Sequence, residues 1–250
     1  MNVSNTIVVS TVYGQMLINR YDINQSNTLI KTGKAWDYSK IELIKLLSRT
    51  SPPNGIFLDI GANFGCYALA ISEEVKNSGG VVHAYEAQRE IAYLICGSVA
   101  LNAMSNVFVH NVCVGNGVTD IDIPKFNYHE PLNFGSVEFK ERQAEQLSQS
   151  RGQSTEKVRQ IRIDDSNFEN VRFMKIDVEG MEEDVLIGAT QTIENSNPIC
   201  LIEYIKSDRN FLVEYFRTRN YRIWDLQGDF LCVPKSNESL SNLNFPEVGI

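Results

Sequence analysis

From Ile56 onward the chain alternates short continuous apolar runs with segments of helical periodicity. The runs are Ile56–Ile60, Val81–Tyr85, Val107–His110, Phe173–Ile176 and Ile199–Ile202. Runs without polar alternation suit strands buried on both faces of a parallel sheet. Between them Tyr67, Ala70, Ile71 and Val75 recur at helical spacing, as do Val185, Leu186, Ala189 and Ile193. Phe211, Leu212, Tyr215 and Phe216 give a third helical face. This alternation predicts an α/β fold of βαβ units with right-handed crossovers. The end of the chain departs from it. Tyr221–Leu226, the turn Gln227-Gly228-Asp229 and Phe230–Val233 predict a hairpin, which puts one antiparallel strand into an otherwise parallel sheet. Ile56–Ile60 and Phe173–Ile176 are expected at the sheet's centre.

The punctuation divides the chain into regions. Residues 1–50 read as an N-terminal cap of short strands followed by a helix from about Trp36 to Arg49. Residues 51–234 form the main domain. Within it the polar segment of about 116–160 is too long for a routine connection and reads as a flap or small added subdomain. Residues 148–155 are expected to be its floppiest part. The Ser/Asn-rich tail, 235–250, is expected to fray.

Composition changes the picture only at the margins. The 250 residues are 43% apolar, enough for a large core without metal or disulfide staples. The charge balance, 23 − 31 = −8, repels phosphate backbones and anionic lipid on average. The densest basic stretch, Lys157–Arg162, is interrupted by Val158, Gln160 and Ile161 and reads as a solvated strand edge. Nucleic acid and membrane partners are therefore not expected, whereas a small-molecule or glycan acceptor is, and a homo-oligomer is admissible. The five cysteines are dispersed in apolar surroundings with no C-x-x-C pair, which argues for a reducing compartment and against a zinc knuckle. The longest uncharged stretch, 91–109, is spoiled as a membrane span by Asn102, Ser105 and Asn106. The start of the chain lacks the basic residues of a signal peptide, and a cytoplasmic location is expected.

Candidate chemistry begins at the end of the first of these strands, in Asp59-Ile-Gly61-Ala-Asn63-Phe-Gly65. Glycine at a strand-to-helix turn lets backbone approach a ligand, and the helix start offers free N–H groups. Glu86 ends the next strand, placed to accept both hydroxyls of an adenosine ribose. A dinucleotide fingerprint would need glycine at 63 and 66, where this chain has Asn63 and Cys66. S-adenosylmethionine (SAM) has no pyrophosphate and tolerates a wider, polar turn. Asp59 could face its ammonium group, and Val112 and Cys113 could flank the adenine.

Four blocks together, Asp59–Gly65, Tyr85-Glu86, Phe173–Glu182 and Leu201-Ile202-Glu203, resemble the FkbM family of SAM-dependent methyltransferases. The Asp177-Val-Glu-Gly180 block is the most specific. The resemblance implies a Rossmann-like three-layer sandwich with a seven-stranded, mostly parallel sheet and an antiparallel C-terminal strand. It also implies SAM as cofactor and O-methylation of a hydroxyl on a sugar, glycan or natural product. Asn133-Phe-Gly-Ser-Val137 looks like a shortened form of the family's Asn- and Gly-rich stretch. Two alternatives remain: a nicotinamide-dependent oxidoreductase on a related sheet, and a non-catalytic methyltransferase-like scaffold.

Asp177 directly follows a buried strand and is the leading candidate base, with Glu179 beside it. Glu182, Glu183 and Asp184 only open a helix, where acidic residues suit the macrodipole. Asp177, Glu179 and Glu203 could together hold Mg²⁺, but no Asp-Asn pair supports this and no metal is assigned. His83 and His110 read as core residues. His129, in the polar loop Asn127–Glu130, is a second candidate base, and Phe126, Tyr128 and Phe134 could stack on a sugar or pack the flap.

Overall fold

The computed structural model describes residues 4–49, 53–139, 146–149, 154–241 and 243–248. An antiparallel hairpin, β1 (Thr6–Thr11) and β2 (Gly14–Asn19), opens the chain and is followed by α1 (Gln25–Thr32) and α2 (Tyr38–Ser48). Then come β3 (Ile56–Ile60), α3 (Cys66–Asn77), β4 (Val81–Tyr85), α4 (Arg89–Leu101) and β5 (Val107–His110). β6 (Cys113–Val114) precedes the insertion, which holds β7 (Thr119–Pro124) and most of β8 (Thr155–Ile161). The chain returns through β9 (Val171–Ile176), α5 (Glu182–Gly188), α6 (Thr190–Ser196), β10 (Ile199–Glu203) and α7 (Arg209–Thr218). It closes with β11 (Tyr221–Asp225) and β12 (Asp229–Pro234).

Seven strands form one sheet in the order β11-β12-β10-β9-β3-β4-β5. β12 alone runs opposite to the other six strands, as the terminal turn Gln227–Asp229 dictates. β3 and β9 lie side by side near the middle, with Asp59 beside Lys175 and Ile60 beside Ile176. The chain leaves β3 toward one edge and resumes at β9 toward the other. The crevice outside their carboxyl ends is therefore a topological switch point, the usual ligand position in such sheets. Two hydrophobic cores cover the faces. One joins the sheet to the buried sides of β2 and α1–α4, the other to α5, α6 and α7. The architecture is the expected three-layer α/β sandwich with a seven-stranded, mostly parallel sheet.

Several expectations need correction. The N-terminal region holds two helices where one was expected, because the polar sequence of α1 conceals its single buried apolar anchor, Leu29. The apolar repeat from Val185 to Ile193 spans two helices, α5 and α6, which break at Ala189. Lys157–Arg162 is not a strand edge. β8 is the central strand of a three-stranded sheet between β6 and β7, and Lys157 and Arg159 pair with Asp122 and Asp120 across the ladder. Cys96 is exposed, unlike the other four free cysteines. The tail does not simply fray: Asp225 N–H donates to Pro246 and Val248 N–H to Ile223, covering the open edge of β11. The expected floppy part of the insertion falls partly on 150–153, outside the described residues. No helix among the described residues is long and apolar enough to cross a membrane.

Candidate functional site

Two adjoining depressions lie outside the carboxyl ends of β3, β4 and β9. The first is lined by Gly61, Asn63, Glu86, Val112, Cys113 and Met181 among others. The second, a cleft of about 390 Å³, includes Asp37, Lys40, Tyr67, Lys175, Glu203 and Asp229. Asn63, Gly135, Asp177 and Glu179 line both, so they form the junction.

The turn after β3 is shaped by close backbone approach. Gly61 has φ +77°, and a Cβ there would lie 1.7 Å from the Asp177 carbonyl oxygen. Only glycine lets the two strand ends pack this closely. Glu86 organises the same turn: Oε2 accepts the Asn63 N–H at 2.9 Å and Oε1 accepts the Gln88 N–H at 2.8 Å. Burial pushes its carboxyl up to about 7, against the pull of those two N–H donors. Each oxygen keeps a lone pair for a further donor. Asn63 has φ +49°, and its Oδ1 is buried without a hydrogen-bond partner. From the flap, Gly135 comes so close to Asn63 that a Cβ would meet its Nδ2 at 2.6 Å. The expected flap residues Asn133–Val137 thus cover the junction. Phe126 and Phe134 are buried and Phe134 stacks on Tyr128 with ring centroids 4.7 Å apart, so these aromatics pack the flap.

Three expected site residues do not reach the cleft. Asp59 is fully buried behind the turn, where Oδ2 accepts the Ala68 N–H at 3.0 Å in the first turn of α3. Burial pushes it up to about 6, held back by Lys175. Gly65, with φ +80°, packs α3 against Ile95 of α4 and lines neither depression. His129 is exposed in its turn, beside the Tyr21 ring at 6.5 Å, and also lines neither. A histidine in a polar loop says nothing about which way the loop faces. His83 and His110 are the expected strand residues, with Nδ1 of one 2.9 Å from Nε2 of the other.

The junction is rich in carboxylates. Ligand oxygens of Asp177, Glu179 and Glu203 all lie within 4.8 Å of one another. Burial, then Asp177, pushes Glu179 up to about 8, although Lys206 pairs with it. Burial, then Asp177, Glu179, Glu182 and Asp229, pushes Glu203 up to about 9, and its Oε2 has no partner. An oxygen-only set of this kind suits a hard cation. Yet Lys206 already serves Glu179, Lys175 lies 3.3 Å from Asp177, and a proton on Glu203 relieves the remaining repulsion. Lys175 escaped the sequence reading because it sits inside an apolar strand. A lone cation between Met174 and Ile176 was itself the available signal, since a buried charge requires partners. Burial works against its charge, but Asp177 and Asp59 outweigh it and hold Lys175 above its ordinary range.

The FkbM methyltransferase domain model matches residues 59–223. The chain belongs to the FkbM methyltransferase family. Its methyl donor is therefore SAM, and the nicotinamide alternative falls away. The donor fits the residues present: the orphaned buried Asn63 Oδ1 and the spare lone pairs of Glu86 offer acceptors beside an apolar wall of Val112, Cys113 and Met181. Among solved structures, methyltransferase FkbM from Methylobacillus flagellatus KT is 19% identical with a TM-score of 0.50, over 73% of this chain. The matched part is 43% of that structure's own length. A putative rRNA-methylase from Clostridium thermocellum is 9% identical with a TM-score of 0.46, over 78% of this chain and 91% of that one. The tRNA (uracil-54, C5)-methyltransferase of Pyrococcus abyssi is 11% identical with a TM-score of 0.44, over 88% of this chain and 39% of that one. Of these three, the Methylobacillus structure reports on the fold alone. Two of them are named for RNA, so the exclusion of nucleic acid drawn from net charge is withdrawn. A mean charge of −8 does not select an acceptor class. Among curated protein sequences no significant match is found.

Proposed function

We propose that the chain transfers a methyl group to a hydroxyl of a sugar, glycan or natural product, with Asp177 as general base. The observation that carries this reading is the shared wall of the two depressions, where Asp177 and Glu179 border both. A donor in the first and an acceptor in the second would meet beside carboxylates. SAM supplies an electrophilic methyl group on a sulfonium.

Glu86 and Asn63 would hold the donor's ribose and amino-acid end, with Gly61 giving backbone access and Val112 and Cys113 flanking the adenine. An aliphatic hydroxyl attacks poorly while protonated, so a base is needed during attack. Asp177 is suited to that role because its side chain is 35% exposed, the most accessible carboxylate of the Lys175 group. Lys175 steadies it. Glu179, pushed up by burial and by Asp177 while Lys206 holds it in place, would orient the acceptor beside the base. Positioning supplies much of the remaining acceleration. The cap, through Trp36, Asp37 and Lys40, and the flap, through Asn133, Gly135 and Ser136, would frame the acceptor side. The buried thiols suit a reducing compartment such as the cytoplasm.

The test is methyl transfer from isotope-labelled SAM to a panel of pyranosides, polyhydroxylated natural products, RNA oligonucleotides and amines, with products located by mass spectrometry. O-methylation of a pyranoside or polyol supports the reading. Methylation confined to nitrogen or to a nucleobase contradicts it.

A further inference from the structure

The 390 Å³ cleft is polar except for a few places, and two of those are large apolar side chains in solvent. Trp36 is 73% exposed and Ile205 is 66% exposed, and both line the cleft. They come from different connections, α1 to α2 and β10 to α7. The loop carrying Trp36 is nevertheless fixed. Its N–H donates to Gln25 Oε1 at 3.1 Å, and the preceding Ala35 N–H donates to the buried Tyr13 hydroxyl at 3.1 Å. Lys40 of α2 pairs with Asp229 at the start of β12, tying this wall to the terminal hairpin. A rigid backbone thus presents an indole that makes no ring stack among the described residues. The other tryptophan, Trp224, is 2% exposed in the core.

Fully exposing an indole forgoes the burial energy that normally places tryptophan inside or at an interface. The rest of the cleft explains what could recover it. Asp37, Asp177, Glu179, Glu203 and Asp229 line it with Lys40, Lys175 and Lys206. Each of these lysines contacts a carboxylate, and the five carboxyl groups outnumber the three lysines, so the cleft is lined with hydrogen-bond acceptors alongside donors. An apolar platform beside acceptors and donors matches a ring with one C–H face and a rim of hydroxyls, which both donate and accept.

We infer that Trp36, supported by Ile205, is the platform that selects the acceptor, stacking on the C–H face of a neutral pyranose while the cleft's carboxylates receive its hydroxyls. This rests on the O-methyltransferase reading and places its main specificity contact, Trp36, outside residues 59–223, the part matched by the family model, with Ile205 inside it. Trp36 and Ile205 are positioning residues and take no part in proton transfer.

The test uses the full chain with S-adenosylhomocysteine bound, titrated with methyl β-glucopyranoside, methyl α-mannopyranoside, methyl β-galactopyranoside and an RNA oligonucleotide. Tryptophan emission is recorded, and KM and kcat are measured with labelled SAM. A methylated pyranoside should shift the exposed Trp36 emission to the blue, and Trp36→Phe should lose that signal. Trp36→Ala should raise KM for that pyranoside about tenfold, equivalent to about 1.4 kcal/mol, with SAM affinity and kcat near wild type. Trp36→Phe should restore most of the KM. If Trp36→Ala methylates the pyranoside with wild-type KM, the platform is overturned while the O-methyltransferase reading stands. If only the RNA is methylated and shifts the emission, the pyranose assignment is overturned. If wild type methylates no hydroxyl of any probe, the underlying function fails and this inference falls with it.

Discussion

The Nζ of Lys175 donates a 2.6 Å hydrogen bond to the carbonyl oxygen of Gly61. One buried cation thereby ties β9 to the glycine turn after β3, and it also lies 3.7 Å from Asp59 and 3.3 Å from Asp177. Fold and site share this group. Lys175→Met leaves Asp59 buried without its cation, and breaking a buried pair in this way costs about 3–5 kcal/mol. Urea denaturation should show the midpoint falling accordingly. Adding Asp59→Asn should recover part of the loss, and an unchanged midpoint in Lys175→Met would mean that the cation is not holding the turn.

Glu86 makes donor binding pH-dependent. Its carboxyl, pushed up to about 7, must be ionised to accept ribose hydroxyls well. SAM affinity is therefore expected to be level above pH 7 and to fall below it, by up to about tenfold per pH unit. Calorimetry between pH 5.5 and 8.5 measures this. Glu86→Gln should flatten the profile, and Glu86→Ala should bind SAM more than about tenfold more weakly at pH 8. A flat wild-type profile would place the ribose contact elsewhere.

Glu203 makes stability pH-dependent in the opposite sense from an ion-paired carboxylate. Unfolded, it loses its proton near its ordinary value of 4.5, whereas folded it keeps the proton until about 9. In that window the folded state binds more protons, so stability falls as pH rises. Thermal midpoints should decline from pH 5 to pH 9. Glu203→Gln removes the contribution, so the variant should show a shallower decline and exceed wild type in stability at pH 8.5. Equal slopes in the two proteins would show that Glu203 is ionised in the folded state.

The centre of the sheet, β3 beside β9, and the antiparallel β12 could be read from the chain because each depends on local pattern: unbroken apolar runs and a Gln-Gly-Asp turn. That Asp177, Glu179, Gly61 and Asn63 meet at one crevice was readable for a similar reason, since strand ends at a switch point gather by topology. What escaped depends on tertiary direction. Asp59 follows three apolar residues and reads as a turn residue facing ligand, but its side chain turns inward to accept from the first turn of α3. The tail's pairing with β11 follows from an open sheet edge that composition does not reveal. Trp36 reads as the start of a helix and turns out to stand at the cleft, because Tyr13 and Gln25, both distant in sequence, hold its loop.

His129 provides a negative control. It lies outside both depressions, so His129→Ala should leave SAM affinity and kcat near wild type. A dead but folded variant, checked by circular dichroism, would bring the 127–130 turn into the chemistry after all.

Asp177→Asn tests the proposed chemistry most directly. The substitution keeps the shape of the side chain and removes its basicity. Single-turnover methyl transfer from labelled SAM to the accepted hydroxyl compound should slow by about 10²–10⁴-fold, the usual contribution of a general base. SAM affinity should stay near wild type, and chelation with EDTA should leave the wild-type rate unchanged. A variant that methylates at the wild-type rate would contradict the assignment of Asp177 as the base.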